Sequence, residues 1–381
     1  MKILFWFFSG LTFFIYFLYP VIIFLISRIM GKEAGKKEIT PFVSLIIAAH
    51  DEERIIAKKL KNTLGLDYPK DKLEIIFALD ACKDKTKEII LEFSDTRIRV
   101  FDNPERSGKV ASLNHAAKLA NGEIILFSDA NSMYQPDTLK KIIRNFADQT
   151  VGCVSGRLCY VDADFTSVGK GENLYWKYET FLKKQESRLG KLLITNGSIQ
   201  AVRKGIYPYP DPEVADDFSV PLLIQAKGYK VIYEPEAVVY EVATQSINEE
   251  LNQKTRILAQ GFKGAMRLSG HFLSLGALGI FELLFHKLLR WWVGLYLIFI
   301  FLINLTLLNN PLYFYLFIVQ VVFYCLALTG FLLRKISRVK IFYIPFYFCL
   351  VNFAALIALW KFMKDDETRI WNKAHSTRMV K

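Results

Sequence analysis

Cysteine and histidine are scarce in this chain, and the cysteines lack metal-binding or redox spacing. The sequence has 5 cysteines and 5 histidines among 381 residues. No pair in CxxC spacing occurs among Cys82, Cys153, Cys159, Cys325 and Cys349, and the last two lie in strongly apolar runs. We therefore interpret them as free thiols, and we expect the water-soluble part of the chain to face a reducing compartment.

A glycine-rich triphosphate loop is also missing. The first predicted strand runs into His50-Asp51-Glu52, and the GxxxxGK[ST] frame is absent around Gly108-Lys109. A nucleotidyltransferase that makes sugar nucleotides needs a glycine-rich loop after its first strand, so the sequence disfavours that class of enzyme. No internal repeat or low-complexity segment suggests a repeat architecture.

Apolar residues, by contrast, are abundant, and they are segregated from the charged ones. Hydrophobic residues make up 52% of the chain and charged residues 23%, with a net charge of +12. This combination predicts membrane segments joined to a water-soluble domain. Because the cations cluster beside the apolar segments, anionic membrane lipid is favoured over nucleic acid as their partner.

The apolar segments lie at the two ends of the chain. Residues 3–27 are long enough to cross a bilayer, and the run lacks the small-residue cleavage site of a signal peptide. More cations follow this run than precede it, so we expect the next domain to lie in the cytoplasm. The predicted division is an amino-terminal transmembrane helix (1–28), a basic cytoplasmic linker (29–41), an α/β domain (42–268), an interfacial helix (269–291), membrane helices (292–363) and a basic tail (364–381). The basic tail favours an inside location, which leaves open whether residues 341–363 cross the membrane.

Between these ends, apolar runs of strand length alternate with helical stretches. Strands are expected at 43–49, 73–79, 97–101 and 123–127, and helices at 52–64, 84–93 and 108–120. This alternation predicts a mostly parallel sheet with helices on both faces. Each of these strands ends in polar residues, and the carboxyl ends of parallel strands meet at one edge, where α/β sheets bind their ligands.

The most informative of these polar ends is Asp129-Ala130-Asn131. An Asp and an Asn two residues apart can both direct oxygens toward one hard cation, such as Mg²⁺ or Mn²⁺ held against phosphate. An ordinary strand-ending turn is the alternative interpretation. Gly108-Lys109, at a predicted helix start, offers backbone N–H groups and a cation that suit a phosphate.

Six motifs in the same order resemble those of the family 2 glycosyltransferases. They are Ser44 to Glu53, Asp80 to Thr86, Gly108-Lys109 with Leu113-Asn114, Asp129-Ala130-Asn131, Asp216-Asp217, and Gln253-Lys254-Thr255-Arg256. The last one is similar to the Gln-x-x-Arg-Trp motif of membrane-bound polysaccharide synthases. The match covers about residues 42–270 and implies a GT-A fold, a Rossmann-like α/β domain, with transmembrane helices at both ends of the chain.

The resemblance also implies roles for individual residues. The residues implied to bind the nucleotide sugar are Glu52, Asp80, Lys109, Asp129, Asn131, Gln253 and Arg256. Asp80 would pair with uracil, and Asp129 and Asn131 would hold Mg²⁺ or Mn²⁺. Asp217 would be the catalytic base with Asp216 beside it, although this pair could also simply open a helix. Gly197 lies in a turn expected beneath the acceptor.

Two positions depart from the family pattern. Asn131 stands where the family has a carboxylate, which removes one negative charge from the metal site and weakens metal binding. Ile257 stands where the processive synthases have a tryptophan that can stack on the acceptor sugar. A long sugar chain as acceptor is therefore less well supported by this sequence.

The function implied is an inverting glycosyltransferase that uses a nucleotide sugar, expected to be a UDP-sugar. Its acceptor would be lipid-linked or a polysaccharide, in cell-surface glycan synthesis. We expect a multi-pass protein of the plasma membrane whose catalytic domain is cytoplasmic. One alternative is a processive polysaccharide synthase that also secretes its product, and a more distant one is a membrane scaffold or transporter with an inactive domain.

Overall fold

The computed structural model describes residues 1–161, 167–244, 246–333 and 339–364, with side chains from 174 onward in the second range. The strands are β1 (Val43–Ala49), β2 (Leu73–Asp80), β3 (Ile98–Asn103), β4 (Ile124–Asp129), β5 (Met133–Tyr134), β6 (Val151–Val161), β7 (Gln200–Arg203) and β8 (Lys230–Val242). The longer helices are α1 (Lys2–Met30), α2 (Ile56–Leu64), α3 (Thr86–Leu91), α4 (Lys109–Leu119), α5 (Thr138–Ile143), α6 (Ser167–Arg188), α7 (Asp216–Ala226), α8 (Ile247–Arg267), α9 (Ser269–Trp291), α10 (Val293–Leu305), α11 (Pro311–Leu332) and α12 (Lys340–Met363).

All eight strands belong to one sheet, in the order β3-β2-β1-β4-β7-β6-β8-β5. The first four positions, β3 to β4, are mutually parallel. Beyond them β7 runs antiparallel to β4 and β6, β6 and β8 are parallel, and β5 is antiparallel to β8. The prediction of a mostly parallel α/β sheet is confirmed, and the antiparallel strands of the second half are an addition to it.

The central strands are buried on both faces, as a parallel sheet between helices requires. All seven residues of β1 and all eight of β2 are buried. Alternate β1 side chains enter two different cores: Leu45 and Ile47 lie in one, and Ile46 and Ala48 in the other. This period of two follows from the strand geometry and fixes both the register and the orientation of the polar edge.

The predicted boundaries agree with the structure best for the strands. The first helix of the α/β domain is the clearest difference, since it begins at Ile56 rather than at residue 52. Residues 50–55 instead form a turn in which Asp51 has a φ of +52°. The turn places Glu52 at the sheet edge, because the N–H groups of Ile55 and Ile56 bond to the Glu52 carbonyl at 3.0 and 2.9 Å.

Four of the described helices are long and apolar enough to cross a membrane by length and composition: α1, α9, α11 and α12. Helix α9 is therefore a candidate span as well as the interfacial helix that the sequence predicts. Helix α12 lies against α8, where Ala259, Phe262 and Ala358 pack together. Of the predicted basic segments, residues 334–338 and 365–381 lie outside the described residues.

A buried polar network connects the α/β domain to two of these helices. The Glu186 carboxylate on α6 accepts a hydrogen bond from the Tyr19 hydroxyl of α1 at 3.0 Å and pairs with His286 Nδ1 of α9. Two turns earlier on α6, Glu179 lies 3.1 Å from Lys287 Nζ and 2.5 Å from Arg290 Nη1. Helix α6 is thereby held to both α1 and α9 by groups that are buried from water.

We predict that Glu186→Ala lowers the apparent melting temperature of the detergent-solubilised protein markedly. The change removes the buried partner of the Tyr19 hydroxyl and one of the two carboxylates that face the His286 ring, the other being Glu179 at 3.2 Å. Breaking a buried pair costs about 3–5 kcal/mol. Glu236→Ala is the matched control, because its carboxylate pairs with Arg144 at the surface, where such pairs contribute about 0–1 kcal/mol. Equal melting temperatures for the two variants would contradict this account.

Candidate active site

A cavity of about 870 Å³ opens where the carboxyl ends of β1 and β4 meet the amino ends of α4 and α7. The sequence-predicted site residues that line it are Glu52, Lys109, Asp129, Asn131, Gly197, Asp216, Asp217, Gln253 and Arg256. Side chains that are far apart in the sequence therefore converge on one space. The volume is that of a typical pocket for a nucleotide-sized ligand.

The Lys109 ammonium lies between two of the acidic groups. Its Nζ atom is 2.7 Å from Asp129 Oδ1 and 3.9 Å from Asp216 Oδ2. Burial lowers the pKa of Lys109, but attraction to Asp129 and Asp216 outweighs it and holds the pKa above its ordinary value. Lys109 therefore carries a fixed positive charge within reach of the cavity.

Asp80 is the predicted site residue that lies beside the cavity rather than in it. Its carboxylate is buried and accepts hydrogen bonds from the N–H groups of Ser107 at 2.7 Å and Gly108 at 3.0 Å. The Ser112 hydroxyl donates a further bond at 3.3 Å. Asp80 thus stabilises the loop before α4 and the start of that helix, which position Lys109. A carboxylate is favoured there because the first N–H groups of a helix have no partner within the helix. Pairing with uracil stays a prediction for this residue.

Asp216 and Asp217 form the first turn of α7, as the helix-start interpretation expects, and their catalytic role stays a prediction. The Asp217 carbonyl accepts hydrogen bonds from the Thr195 N–H at 3.0 Å and the Thr195 hydroxyl at 3.1 Å. This ties the turn that contains Gly197 to the start of α7. A Cβ atom at Gly197 would lie 3.2 Å from Lys109 Nζ and 3.3 Å from Asp216 Oδ2, so a larger residue would displace these two side chains by a few tenths of an ångström.

The Asp217 carboxyl has an unusual proton affinity. Burial and repulsion from Asp216 raise its pKa to about 6, against the lowering effect of Lys109, Lys183 and Arg256. A carboxylate with a pKa close to neutral is still ionised at pH 7 and binds a proton more strongly than an ordinary one. These are the properties of an effective general base.

The oxygen atoms at the end of β4 suit a hard divalent cation. Asp129 and Asn131 both line the cavity, and Glu241 of β8 lines it beside them. Asp216 Oδ2 is buried and accepts no hydrogen bond from the described residues. Carboxylate and amide oxygens are the ligands that Mg²⁺ and Mn²⁺ prefer. Glu241, which the sequence did not indicate, adds a further carboxylate to the lining of the cavity.

A second group of potential metal ligands lies at the ends of β1 and β2. His50, Asp51 and Cys82 are close enough to share one ion. Local hydrogen bonds account for their positions, because a His50 ring nitrogen lies 2.6 Å from the Asp80 carbonyl and Asp51 accepts the Lys83 N–H at 2.7 Å. This group does not line the cavity described above.

A buried lysine lies beneath the turn that carries Asp129 and Asn131. The Lys59 ammonium of α2 donates to the Ser128 hydroxyl at 2.7 Å and the Ser132 carbonyl at 2.5 Å, one on each side of the turn. The Ser132 hydroxyl in turn donates to Glu241 at 2.6 Å. The turn is thereby held at both ends, and it is connected to β8.

The cavity also has a side that sequence reasoning missed. Its lining residues there include Tyr175, Trp176, Glu179, Lys183, Lys287, Trp291 and Lys361. Helical spacing favoured a core position for Tyr175 and Trp176, but both are half-buried and line the cavity. No local pattern marks these residues, because α6, α9 and α12 reach the site only through tertiary packing.

Comparisons with known proteins agree with this geometry. Residues 44–208 match Glycosyl transferase family 2. The chain is 31% identical over 168 residues to a Beta-monoglucosyldiacylglycerol synthase of Nostoc sp., covering 43% of this chain and 36% of that protein. It is 25% identical over 232 residues to the Poly-beta-1,6-N-acetyl-D-glucosamine synthase of Staphylococcus aureus, covering 59% and 56%. The chain thus spans roughly a third to just over half of the length of these relatives.

The fold has a full-length counterpart among solved structures. The mannosyltransferase PcManGT from Pyrobaculum calidifontis, solved with GDP-Man and Mn²⁺, superposes with a TM-score of 0.69 at 21% identity, covering 96% of this chain and 100% of that one. The fold is therefore of the GT-A type. Residues 44–208 match the family 2 glycosyltransferases, in agreement with the resemblance of the motifs.

We predict that Lys59→Met changes the pH dependence of stability. Burial lowers the pKa of Lys59 to about 7 from an ordinary 10.5, against the attraction of Asp129 and Glu241. Between these pH values the unfolded chain binds more protons, so this lysine makes stability rise with pH. The melting temperature of the wild type relative to Lys59→Met should therefore increase as the pH rises above about 7.

Lys58→Met is the control for this measurement, since Lys58 is the exposed neighbour on the same helix. Its melting temperature should follow that of the wild type across the pH range. Parallel curves for the wild type and Lys59→Met would refute the assignment of a depressed pKa to the buried ammonium.

Proposed function

We propose that this protein is an inverting glycosyltransferase that moves a sugar from a nucleotide sugar, expected to be a UDP-sugar, to a lipid-borne acceptor. The reaction would occur at the cytoplasmic face of the plasma membrane, in cell-surface glycan synthesis. The observation that carries this proposal is the convergence of Lys109, Asp129, Asp217 and Arg256 on one cavity. These groups come from four separate elements, and each matches one requirement of the reaction.

The reaction needs a base for the acceptor. An acceptor hydroxyl is a poor nucleophile at neutral pH, and a carboxylate within hydrogen-bonding reach can take its proton as it attacks the anomeric carbon. Asp217 is the group proposed for this step. The new bond joins the acceptor oxygen to the anomeric carbon, the bond from that carbon to the diphosphate oxygen breaks, and the electron pair leaves with the nucleoside diphosphate. One displacement of this kind inverts the anomeric centre.

The departing diphosphate also needs compensation for its growing negative charge. Lys109 and Arg256 line the cavity and would offset that charge in the transition state. Asp129 and Asn131, with Glu241 beside them, are the residues that would hold Mg²⁺ or Mn²⁺, which would add a further positive charge at the diphosphate. Gln253 and Glu52 would contact the nucleotide sugar, as the resemblance implies.

A second, smaller pocket supports an acceptor that comes from the membrane. It has a volume of about 50 Å³, and its lining includes Tyr16 of α1, Arg290 of α9 and Ala355 of α12. It shares Tyr175, Leu258, Lys287, Trp291 and Val351 with the main cavity. The candidate active site therefore borders a space between three candidate membrane helices, from which a lipid could enter.

A processive polysaccharide synthase is the second candidate. Tyr175 and Trp176 line the acceptor side of the cavity and could stack on sugar rings, which favours this function. Against it, Ile257 replaces the tryptophan of the processive motif, and its side chain is 38% exposed. The length of the product separates the two functions, because a ladder of products identifies a polymerase and a single added sugar the proposed enzyme.

The test of the proposal is a screen of nucleotide sugars with the purified protein in detergent, with Mg²⁺ or Mn²⁺. We expect release of the nucleoside diphosphate from one UDP-sugar, and loss of this release when the metal is chelated. Turnover that is equal in the wild type and in Asp217→Asn would remove Asp217 from its proposed role. Absence of turnover with every donor would favour a scaffold with an inactive domain.

We predict an acidic limb in the pH profile of kcat/KM with an apparent pKa of about 6. Burial and repulsion from Asp216 raise the pKa of Asp217 to this value, so activity should fall as the carboxylate becomes protonated below it. Asp217→Asn should lose about 10²-fold or more in kcat, because it cannot accept the proton. Asp211→Asn, which changes an exposed carboxylate paired with Arg267, should keep both the rate and the profile.

A further inference from the structure

The charges around the cavity are unevenly distributed. Carboxylates dominate where the nucleotide sugar is proposed to bind, and a positive cluster lines another part of the same cavity. We define the α6 cluster by residues that contact one another there: Tyr175, Trp176, Glu179, Lys183, Lys254, Lys287 and Arg290. It contains four cations and one carboxylate, and only Lys254 has a further acidic partner, Glu250 at 3.3 Å.

Lys183 is the most unusual member of the α6 cluster. Its side chain is buried, and its ammonium donates to a neutral partner, the Asn196 side-chain oxygen, at 2.6 Å. The ammonium also lies 5.1 Å from the centre of the Trp176 ring. No carboxylate of the described residues lies within ion-pair distance of it. A buried cation of this kind is costly unless an anion joins it.

Two of the other cations, Lys287 and Arg290, share one carboxylate, that of Glu179. Lys287 Nζ lies 3.1 Å from Glu179 Oε2, and Arg290 Nη1 lies 2.5 Å from Glu179 Oε1. One negative charge therefore faces two positive ones, with Lys183 on the same helix one turn away. Together these groups have at least one positive charge in excess, in a place that the cavity makes accessible to a ligand.

Trp176 provides an independent indication of a ligand. Its ring lines the cavity, and its Nε1 atom is buried without a hydrogen-bond acceptor among the described residues. Buried indole N–H groups usually have a partner, so this donor indicates an acceptor atom that belongs to a ligand. Two ammonium groups and an N–H group on one wall suit the several acceptor oxygens of a phosphate.

We propose that the acceptor is a lipid that carries a phosphate, and that Lys183, Lys287 and Trp176 bind this phosphate. The inference rests on the proposed glycosyltransferase function and names its acceptor class. The smaller pocket, which shares Lys287, Leu258 and Trp291 with the main cavity, is the side from which the lipid would approach, while its apolar chains stay outside between the helices.

The position of the α6 cluster relative to the proposed base supports this arrangement. Asn196, the partner of Lys183, follows Thr195, whose N–H bonds to the Asp217 carbonyl at 3.0 Å. A phosphate on Lys183 would therefore hold a hydroxyl of the same acceptor near Asp217. The phosphate serves recognition, while the hydroxyl attacks the sugar and gives its proton to Asp217.

The first experiment tests whether the lipid product is anionic, and it does not require that the acceptor be known in advance. Membranes containing the full-length protein are incubated with radiolabelled UDP-sugars, and the labelled lipid is extracted and applied to an anion-exchange resin. We expect the labelled lipid to be retained by the resin. A labelled lipid that passes through uncharged would overturn the inference while leaving the glycosyltransferase function standing. No labelled product from any donor would count against both.

Defined acceptors, added to the purified protein, show whether the phosphate, the lipid or both are recognised. Phosphatidylglycerol offers a phosphate and hydroxyls on a lipid, diacylglycerol a hydroxyl without phosphate, and glycerol 3-phosphate both groups without a lipid. Competition by phosphatidylglycerol and glycerol 3-phosphate with the labelled reaction, but not by diacylglycerol, is the expected result. Competition by diacylglycerol that equals that of phosphatidylglycerol would contradict phosphate recognition.

Variants test the residues themselves. Lys183→Met should raise the amount of membrane-lipid extract needed for half-maximal transfer about tenfold or more, with an unchanged KM for the donor, because it removes a charge-assisted bond to the acceptor. Lys183→Arg should restore part of the loss. Lys184→Met is the matched control, since Lys184 is the exposed neighbour on α6, and it should behave as the wild type.

Donor binding distinguishes a folding defect in these variants from a specific loss of acceptor binding. The affinity for UDP, measured by titration calorimetry without acceptor, should be the same in Lys183→Met, Lys287→Met and the wild type if the donor site is intact. If both variants keep wild-type acceptor dependence, these lysines do not bind the acceptor and the inference is wrong.

Discussion

The ammonium of Lys109 lies at the centre of the acidic groups that make the candidate site. Asp129 at 2.7 Å and Asp216 at 3.9 Å come from β4 and α7, which are nearly ninety residues apart in the chain. Without a cation between them, these two carboxylates would repel one another. The loop that delivers Lys109 is in turn held by the buried carboxylate of Asp80. A side chain that never reaches the cavity is therefore as necessary to its geometry as those that line it.

The same electrostatic argument connects the two sides of the cavity. On the donor side, the carboxylates exceed the cations, which fits a divalent metal and the proton affinity of Asp217. On the acceptor side, Lys183, Lys287 and Arg290 exceed the carboxylate of Glu179, which fits an anionic acceptor. Under the proposed function, one cavity would offer complementary fields to two substrates and orient them before any bond is made.

Attachment to the membrane helices is part of this arrangement. Helix α6 contributes Trp176, Glu179 and Lys183 to the cavity, and through Glu186 it is bonded to Tyr19 of α1 and His286 of α9. The acceptor side is consequently built between a water-soluble domain and apolar helices. An enzyme whose acceptor stays in the lipid needs such a boundary, because the reacting hydroxyl must reach the base while the lipid chains remain in an apolar environment.

The sequence by itself determined the β1 to β4 half of the fold and most of the donor side. Apolar runs of strand length have a period and a boundary that local chemistry sets, and parallel strands bring their polar ends to one edge wherever the rest of the chain goes. Three features depended on tertiary structure. Asp80 is buried behind the start of α4, Lys59 holds the turn that carries Asp129, and Glu241 lines the cavity. The same is true of the acceptor side, where Trp176, Lys183 and Lys287 occupy helical positions typical of a core or a solvated face. These side chains meet because helices that are remote in the chain pack against one another, and residue spacing along the sequence carries no information about that packing.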